Sequence, residues 1–260
     1  MSGIESPNPT PRAGLTREIQ HFWTQHVNAE RILGKEVTQH ARGDDAYFAD
    51  LENQRYRSHR HLLPWIQGMQ PGRSVLEIGC GVGLDTYTMA RHGLKVTSVD
   101  LTEVAVNAAH QRFHRHQLSG SFAVADAGCL PIPANTYDYV YSFGVLHHAA
   151  DTPATIDEVY RVLKPNGEAR IMLYHRRSIN ELVHRLTRIP FEEKDAICPV
   201  VRRFTRAEVH SMFRAFGKIE IKLDYVYGEG YGKLFHLTPR WLYDWLSQHF
   251  GWHLMIVATK

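Results

Sequence analysis

From Ser74 onward the chain alternates short β-rich runs with amphipathic segments, and no other feature constrains its fold as tightly. SVLEIG is followed by a helical pattern over 84–92, KVTSVD by one over 103–116, and SFAVAD by a Pro-rich loop; YDYVYSF, a helical pattern over 154–163 and GEARIMLYH come next. Strand, helix, strand at this spacing predicts an α/β fold, a mostly parallel, Rossmann-like sheet with helices on both faces. The LKPNG stretch at 163–167 should end the helix before the fifth strand. Further on, 178–187 and 206–216 read as helices, 190–204 as irregular, and 218–226 as a strand. A helix over 239–249 capped by Thr238 and a strand over 252–258 suggest an antiparallel hairpin at the sheet edge.

Before Ser74 the pattern is different. Residues 1–14, rich in Pro, Ser and Gly, read as a flexible tail. A helix capped by Thr16 should carry Ile19, Phe22, Trp23 and Val27 on one face. Residues 30–50 read as irregular, and 56–69 as a second helix that Pro64 kinks or divides. The expected organisation is a tail over 1–14, a helical cap over 15–70, a cofactor-binding core over 71–175, and the rest of the same domain with a substrate-pocket insertion over 176–260.

The turn after the first strand, VLEIGCGVGLD, should hold a ligand. A P-loop is excluded, because Leu84-Asp85 stand where that motif needs Lys and Ser or Thr. A dinucleotide fingerprint fits Gly79 and Gly81 but meets Leu84 where a small residue is wanted. Glu77, just behind the turn, would repel a pyrophosphate and suit an ammonium or sulfonium cation. Asp100 ends the second strand, where a carboxylate can accept from ribose hydroxyls. Asp126 ends the third strand, where it can accept from the exocyclic amine of adenine, with Ala127 supplying backbone. Three carboxylates at adjacent strand ends make a composite nucleoside site.

VLEIGCGVG, VTSVDLT, VADAGCLPIPANTYDYVYSFGVLHHAAD and VLKPNGEARIML together resemble the class I S-adenosylmethionine-dependent methyltransferases, in particular the type-11 group. The resemblance runs over 75–174. It implies a seven-stranded sheet with the last strand antiparallel and S-adenosylmethionine as cofactor. Glu77, Gly79, Cys80, Gly81 and Gly83 would surround its methionine part, Asp100 and Leu101 would hold the ribose, and Asp126 and Ala127 would meet the adenine. Ser142 and Phe143 would lie under it at the end of the fourth strand, with His147 and His148 beside them.

Methyl transfer to a hydroxyl or ammonium needs a base, and His147, His148, Tyr174 and His175 are the candidates at the strand ends. An acceptor pocket should form from Trp23 and Tyr56 of the cap with Tyr225 and Tyr227 of the loop YVYGEGYGKLFHL, suiting a small aromatic or hydrophobic molecule. The expected activity is transfer of a methyl group to oxygen or nitrogen of a small-molecule acceptor. The alternatives are an NAD-dependent oxidoreductase and a non-catalytic S-adenosylmethionine-binding regulatory subunit.

Composition narrows the partners. No apolar run long enough to span a bilayer is present, and the amino-terminal residues lack the apolar stretch of a signal peptide. With three widely spaced cysteines outside any CxxC pattern, a disulfide framework or zinc site is not expected, and no metal-ligand spacing recurs near the strand ends. These features point to a cytoplasmic protein. A net charge of only +3, with short basic clusters at 57–61 and 175–177 read as solvated surface, argues against nucleic-acid binding.

Overall fold

The computed structural model describes residues 11–27, 38–41, 43–187, 198–228 and 231–260. Seven strands form one sheet: β1 (Ser74–Ile78), β2 (Lys95–Asp100), β3 (Ser121–Val124), β4 (Tyr137–Phe143), β5 (Leu163–Tyr174), β6 (Lys218–Asp224) and β7 (His253–Thr259). Their order is β3-β2-β1-β4-β5-β7-β6, and β7 runs antiparallel to both β5 and β6. The chain starts at β1 and winds outward both ways, so the strand order reverses between β1 and β4. At such a switch point the loops diverge and leave a crevice at the carboxyl edge.

Alternation along the strands divides the core between the two faces. Leu76, Ile78, Val140, Ile171 and Ile256 pack with Ile156, Val159 and Val162 of α6 (Thr152–Val162) and Val209 of α8 (Arg206–Met212). Val75, Val96 and Tyr141 pack oppositely, with Ile66 of α3 (Leu62–Gln67), Tyr87 and Met89 of α4 (Leu84–Arg91), and Phe113 of α5 (Glu103–Arg115). Helix α6 starts where Asp151 accepts from the Ala154 amide at 3.1 Å, with proline in its first turn.

Several boundaries differ from expectation. The first helix, α1 (Pro11–Gln25), begins before Thr16, which lies within it; 11–14 of the expected tail belong to this helix, and 1–10 lie outside the described residues. Much of 30–50 also lies outside them, but α2 (Asp45–Ser58) is helical where an irregular segment was expected. The helix expected over 56–69 is broken at residues 59–61, and Pro64 sits in the first turn of short α3, where its missing N–H costs nothing. Residues 163–167 already belong to β5, with Asn166 at φ 62°.

Helix α7 spans Ile179–Thr187, and 190–197 of the segment expected to be irregular are outside the described residues. Thr238 closes α9 (Lys233–Leu237), and α10 (Arg240–Phe250) is preceded by Pro239. No hairpin joins β6 to β7: α9 and α10 intervene, and β7 inserts between β5 and β6. No described helix is long and apolar enough to cross a membrane.

One buried-edge contact ties three strands together. Asp138 of β4 accepts from the Ser74 amide (2.9 Å) and hydroxyl (2.6 Å) of β1 and pairs with Lys164 of β5 at 3.0 Å. Partial burial opposes ionisation, but these donors outweigh it and hold the carboxyl below its usual range. A depressed folded-state value stabilises the fold above the unfolded carboxylate value, and the gain is lost as pH falls. Asp138→Asn should therefore lower the unfolding temperature at pH 7, and the gap to wild type should close in acid.

Candidate active site

A cavity of about 250 Å³ opens at the carboxyl edge over the switch point. One end is built by β1, β2 and β3. There Glu77, Gly79, Cys80, Gly81, Asp100, Leu101, Asp126 and Ala127 all line the wall. Gly79, Gly81 and Gly83 all have positive φ, which lets the chain reverse directly after β1. A side chain at Gly79 would collide with Val145, whereas a Cβ at Gly81 would meet nothing within 4 Å. Of the three, only Gly81 has open space where a Cβ would stand. Gly83 is not on the wall; it packs on Ala109, 2.8 Å from where its Cβ would stand, and starts α4.

The carboxylates hold this end together. Asp100 accepts from the Gly81 amide (3.0 Å), the Thr102 amide (2.9 Å) and the Thr102 hydroxyl (3.0 Å). Both Thr102 bonds fall on Oδ1 and the Gly81 bond on Oδ2, so Oδ2 retains a lone pair with which to accept from a ligand. Asp126 accepts from the Gly128 amide at 2.9 Å. Helix α1 crosses above: Gln20 donates to the Leu101 carbonyl and Arg12 to the Gly128 carbonyl, both at 2.8 Å. Glu77, 4% exposed, accepts from the Thr86 hydroxyl and, at 3.4 Å, from the Ser98 hydroxyl. Burial, then the nearby Asp85 charge, raise its pKa well above the ordinary carboxylate value.

Behind the loop lies an ion pair that sequence reasoning missed. Asp85 receives both forks of Arg55, from Nε at 2.7 Å and from Nη2, and accepts from Tyr141 (2.7 Å) and Tyr56 (3.0 Å). The Arg55 guanidinium lies 5.1 Å from the centre of the Phe143 ring, and both Arg55 and Asp85 line the cavity. Although burial opposes its charge, Asp85 is kept below its usual range by Arg55 and the phenols.

The other end of the cavity is formed by Trp23, His59, Phe143, Val145, His148, Met172, Tyr174 and His253. Of the residues expected near a substrate, Trp23 and Tyr174 are here. His148 is too, its Nδ1 2.7 Å from the Val200 carbonyl and its ring edge-on to Trp23. His147 is not: it is fully buried behind the wall, its ring tilted against Tyr174 with centroids 3.8 Å apart, and both ring nitrogens lack a hydrogen-bond partner among the described residues. His175 is buried against the Gly251 carbonyl, and Ser142 donates to the Ile78 carbonyl; neither reaches the wall.

Tyr56 is spent on Asp85 and Thr88, and Tyr227 on Thr238 within a satellite cluster with Phe235 and Tyr243. Tyr225 stands one layer back, stacked on His59 (4.6 Å) and His253 (4.4 Å). The tip of its loop, 229–230, is outside the described residues. His59 and His61, expected in a solvated basic cluster, are instead partly buried among aromatic rings. Their spacing within RYRSHRH was the available signal, but nothing local tells an inward histidine from an outward one.

Residues 76–171 match the model of a methyltransferase domain. That stretch is a methyltransferase domain. The chain is similar to cycloartenol-C-24-methyltransferase of Arabidopsis thaliana, 30% identical over 163 residues that cover 58% of this chain and 48% of that one. It is also similar to phosphoethanolamine N-methyltransferase 3 of the same plant, 34% identical over 42% of this chain and 22% of the relative. The chain thus spans about half or less of these curated relatives. Among solved structures, a S-adenosylmethionine-dependent methyltransferase from Thermotoga maritima superposes with a TM-score of 0.60 at 18% identity, covering 80% of this chain and 95% of that one. The cofactor of such a domain is S-adenosylmethionine, which displaces the dinucleotide alternative.

Proposed function

We propose that this protein transfers a methyl group from S-adenosylmethionine to oxygen or nitrogen of a small-molecule acceptor. The observation that carries the reading is that Glu77, Gly81, Asp100 and Asp126 line one end of a cavity whose other end is walled by aromatic and imidazole rings. The cradle suits the cofactor: open space at Gly81, a buried carboxyl at Glu77 for a cation, and acceptors at Asp100 and Asp126 for ribose and adenine. S-adenosylmethionine supplies an electrophilic methyl on a sulfonium. The chain's own part is to orient an acceptor in line with it between Trp23, Phe143 and Tyr174, and to exclude water.

The test is product formation with a panel of hydroxyl- and amine-bearing aromatic molecules. S-adenosylhomocysteine released in step with a methylated acceptor supports the reading. Tight cofactor binding without turnover on any acceptor favours a binding subunit instead.

Glu77 makes a second expectation. Its raised pKa leaves a proton on the carboxyl that a bound cation would drive off. Cofactor binding near neutral pH should release protons, and affinity should rise with pH through Glu77's raised titration range. Calorimetry in buffers of different ionisation enthalpy measures the release, and Glu77→Gln should abolish it.

A further inference from the structure

At the acceptor end, three adjacent strands bring Tyr174, His253 and Asp224 into one row: His253 opens β7 directly opposite the last residues of β5 and β6. Residues in register on neighbouring strands project to the same face. His61, between α2 and α3, enters this row. Asp224 Oδ1 lies 3.4 Å from His61 Nδ1, and His61 Nε2 lies 3.3 Å from His253 Nδ1. His253 is 2% exposed and lines the cavity. Asp224, His61 and His253 thus form a continuous line from a carboxylate to the cavity wall.

That line fixes the tautomers. A carboxylate at Nδ1 of His61 keeps the proton there and leaves Nε2 as an acceptor; His253 must then carry its proton on Nδ1, leaving Nε2 a lone pair. Tyr225 clamps the arrangement. It stacks on His253 and His59, its amide donates to Asp224 at 2.6 Å, and it holds φ 60°, a conformation unusual for a bulky residue.

We propose that His253 is the general base for an acceptor with an aromatic hydroxyl, and that His61 and Asp224 are positioning residues which hold it in the base-competent tautomer. The proposal rests on the methyltransferase reading above. As the acceptor oxygen bonds to the methyl carbon, its proton passes to His253 Nε2, and the electron pair of the broken carbon–sulfur bond stays on sulfur. One positive charge is thereby exchanged for another in the cavity, sulfonium for imidazolium.

This exchange suits the surroundings. The groups facing His253 are Arg55, His59, His61, His147, Tyr174, Asp224 and Tyr225; burial first, then the neighbouring imidazoles and Arg55, keep His253 neutral well below its ordinary value. A weak base of this kind matches an acidic phenol better than an alkyl hydroxyl or an ammonium. Contacts of 3.3–3.4 Å are long for hydrogen bonds, as in many ligand-free active sites, where they shorten once substrate is bound.

The first test needs no turnover. In cofactor-free protein labelled with ¹⁵N-histidine, NMR should show His253 as the Nδ1–H tautomer, and Asp224→Leu, which removes the acceptor at His61 Nδ1, should shift it toward Nε2–H. An Nε2–H tautomer in wild type, or no change in the variant, overturns the relay. The second compares phenol, un-ionised at neutral pH, with the more acidic 4-nitrophenol. His253→Gln should slow methylation of phenol by about 100-fold and of 4-nitrophenol by less than about 10-fold. Equal losses would mean a structural role only and overturn the proposal; His61→Asn, less buried, provides the same comparison if His253→Gln does not fold. Wild type that binds S-adenosylmethionine but methylates neither phenol overturns the acceptor class, whereas absence of cofactor binding overturns the methyltransferase reading itself.

Discussion

Asp85→Ala is expected to destabilise the protein by about 3 kcal/mol, at the lower end of the range for breaking a buried ion pair. The substitution leaves Arg55 with its charge and without its carboxylate, and deprives Tyr56 and Tyr141 of an acceptor. The side chains of Asp85 and Arg55 are 2% and 19% exposed. The residual exposure of Arg55 lets water share its charge, which keeps the cost at that lower end. The cause is the orphaned cation, so the double variant Asp85→Leu with Arg55→Met should recover most of the loss. Urea unfolding measures both. A loss under about 1 kcal/mol in the single variant would place the pair among ordinary surface salt bridges. The pair also joins α2 to α4, so the single variant should loosen the wall at Phe143 and Arg55.

Asp100→Ala is expected to weaken S-adenosylmethionine binding by roughly 100- to 1,000-fold, since hydrogen bonds to a charged group contribute about 1.5–3 kcal/mol each. The proposed ribose contacts account for part of this. The rest follows from the protein's own bonds: without the carboxylate, the Gly81 and Thr102 amides lose their acceptor and the glycine loop loses the tie that sets its shape. Asp100→Asn keeps one acceptor oxygen and should fall between. Calorimetry checks the order, and unchanged affinity in Asp100→Ala would remove Asp100 from the ribose site.

What the sequence reveals depends on how local each feature is. The glycine turn, Glu77, Asp100 and Asp126 are legible because each belongs to a strand end or to the turn that follows it, and their order along the chain is the order of the parallel strands. The antiparallel last strand follows from the same family resemblance. The acceptor end is different. Arg55, His59, His61, Asp224 and His253 come from four separate elements, and they meet only because β7 inserts between β5 and β6 while the break after α2 turns two histidines inward.

In the sequence RYRSHRH is a basic run, and the hydrophobic pattern of a strand does not reveal that its first residue faces a cavity. Asp85 was visible as the residue that rules out a P-loop, but its partner lies thirty positions upstream. One misplaced helix start has a plain cause: Thr238 has the chemistry of a cap, yet Pro239 stands directly before α10, with proline's fixed φ.

The most direct test of the central claim is titration calorimetry of the purified protein with S-adenosylmethionine and, separately, with NAD. The account predicts saturable one-site binding of S-adenosylmethionine, with proton release near neutral pH, and none of NAD. Binding of NAD with no heat from S-adenosylmethionine would contradict it.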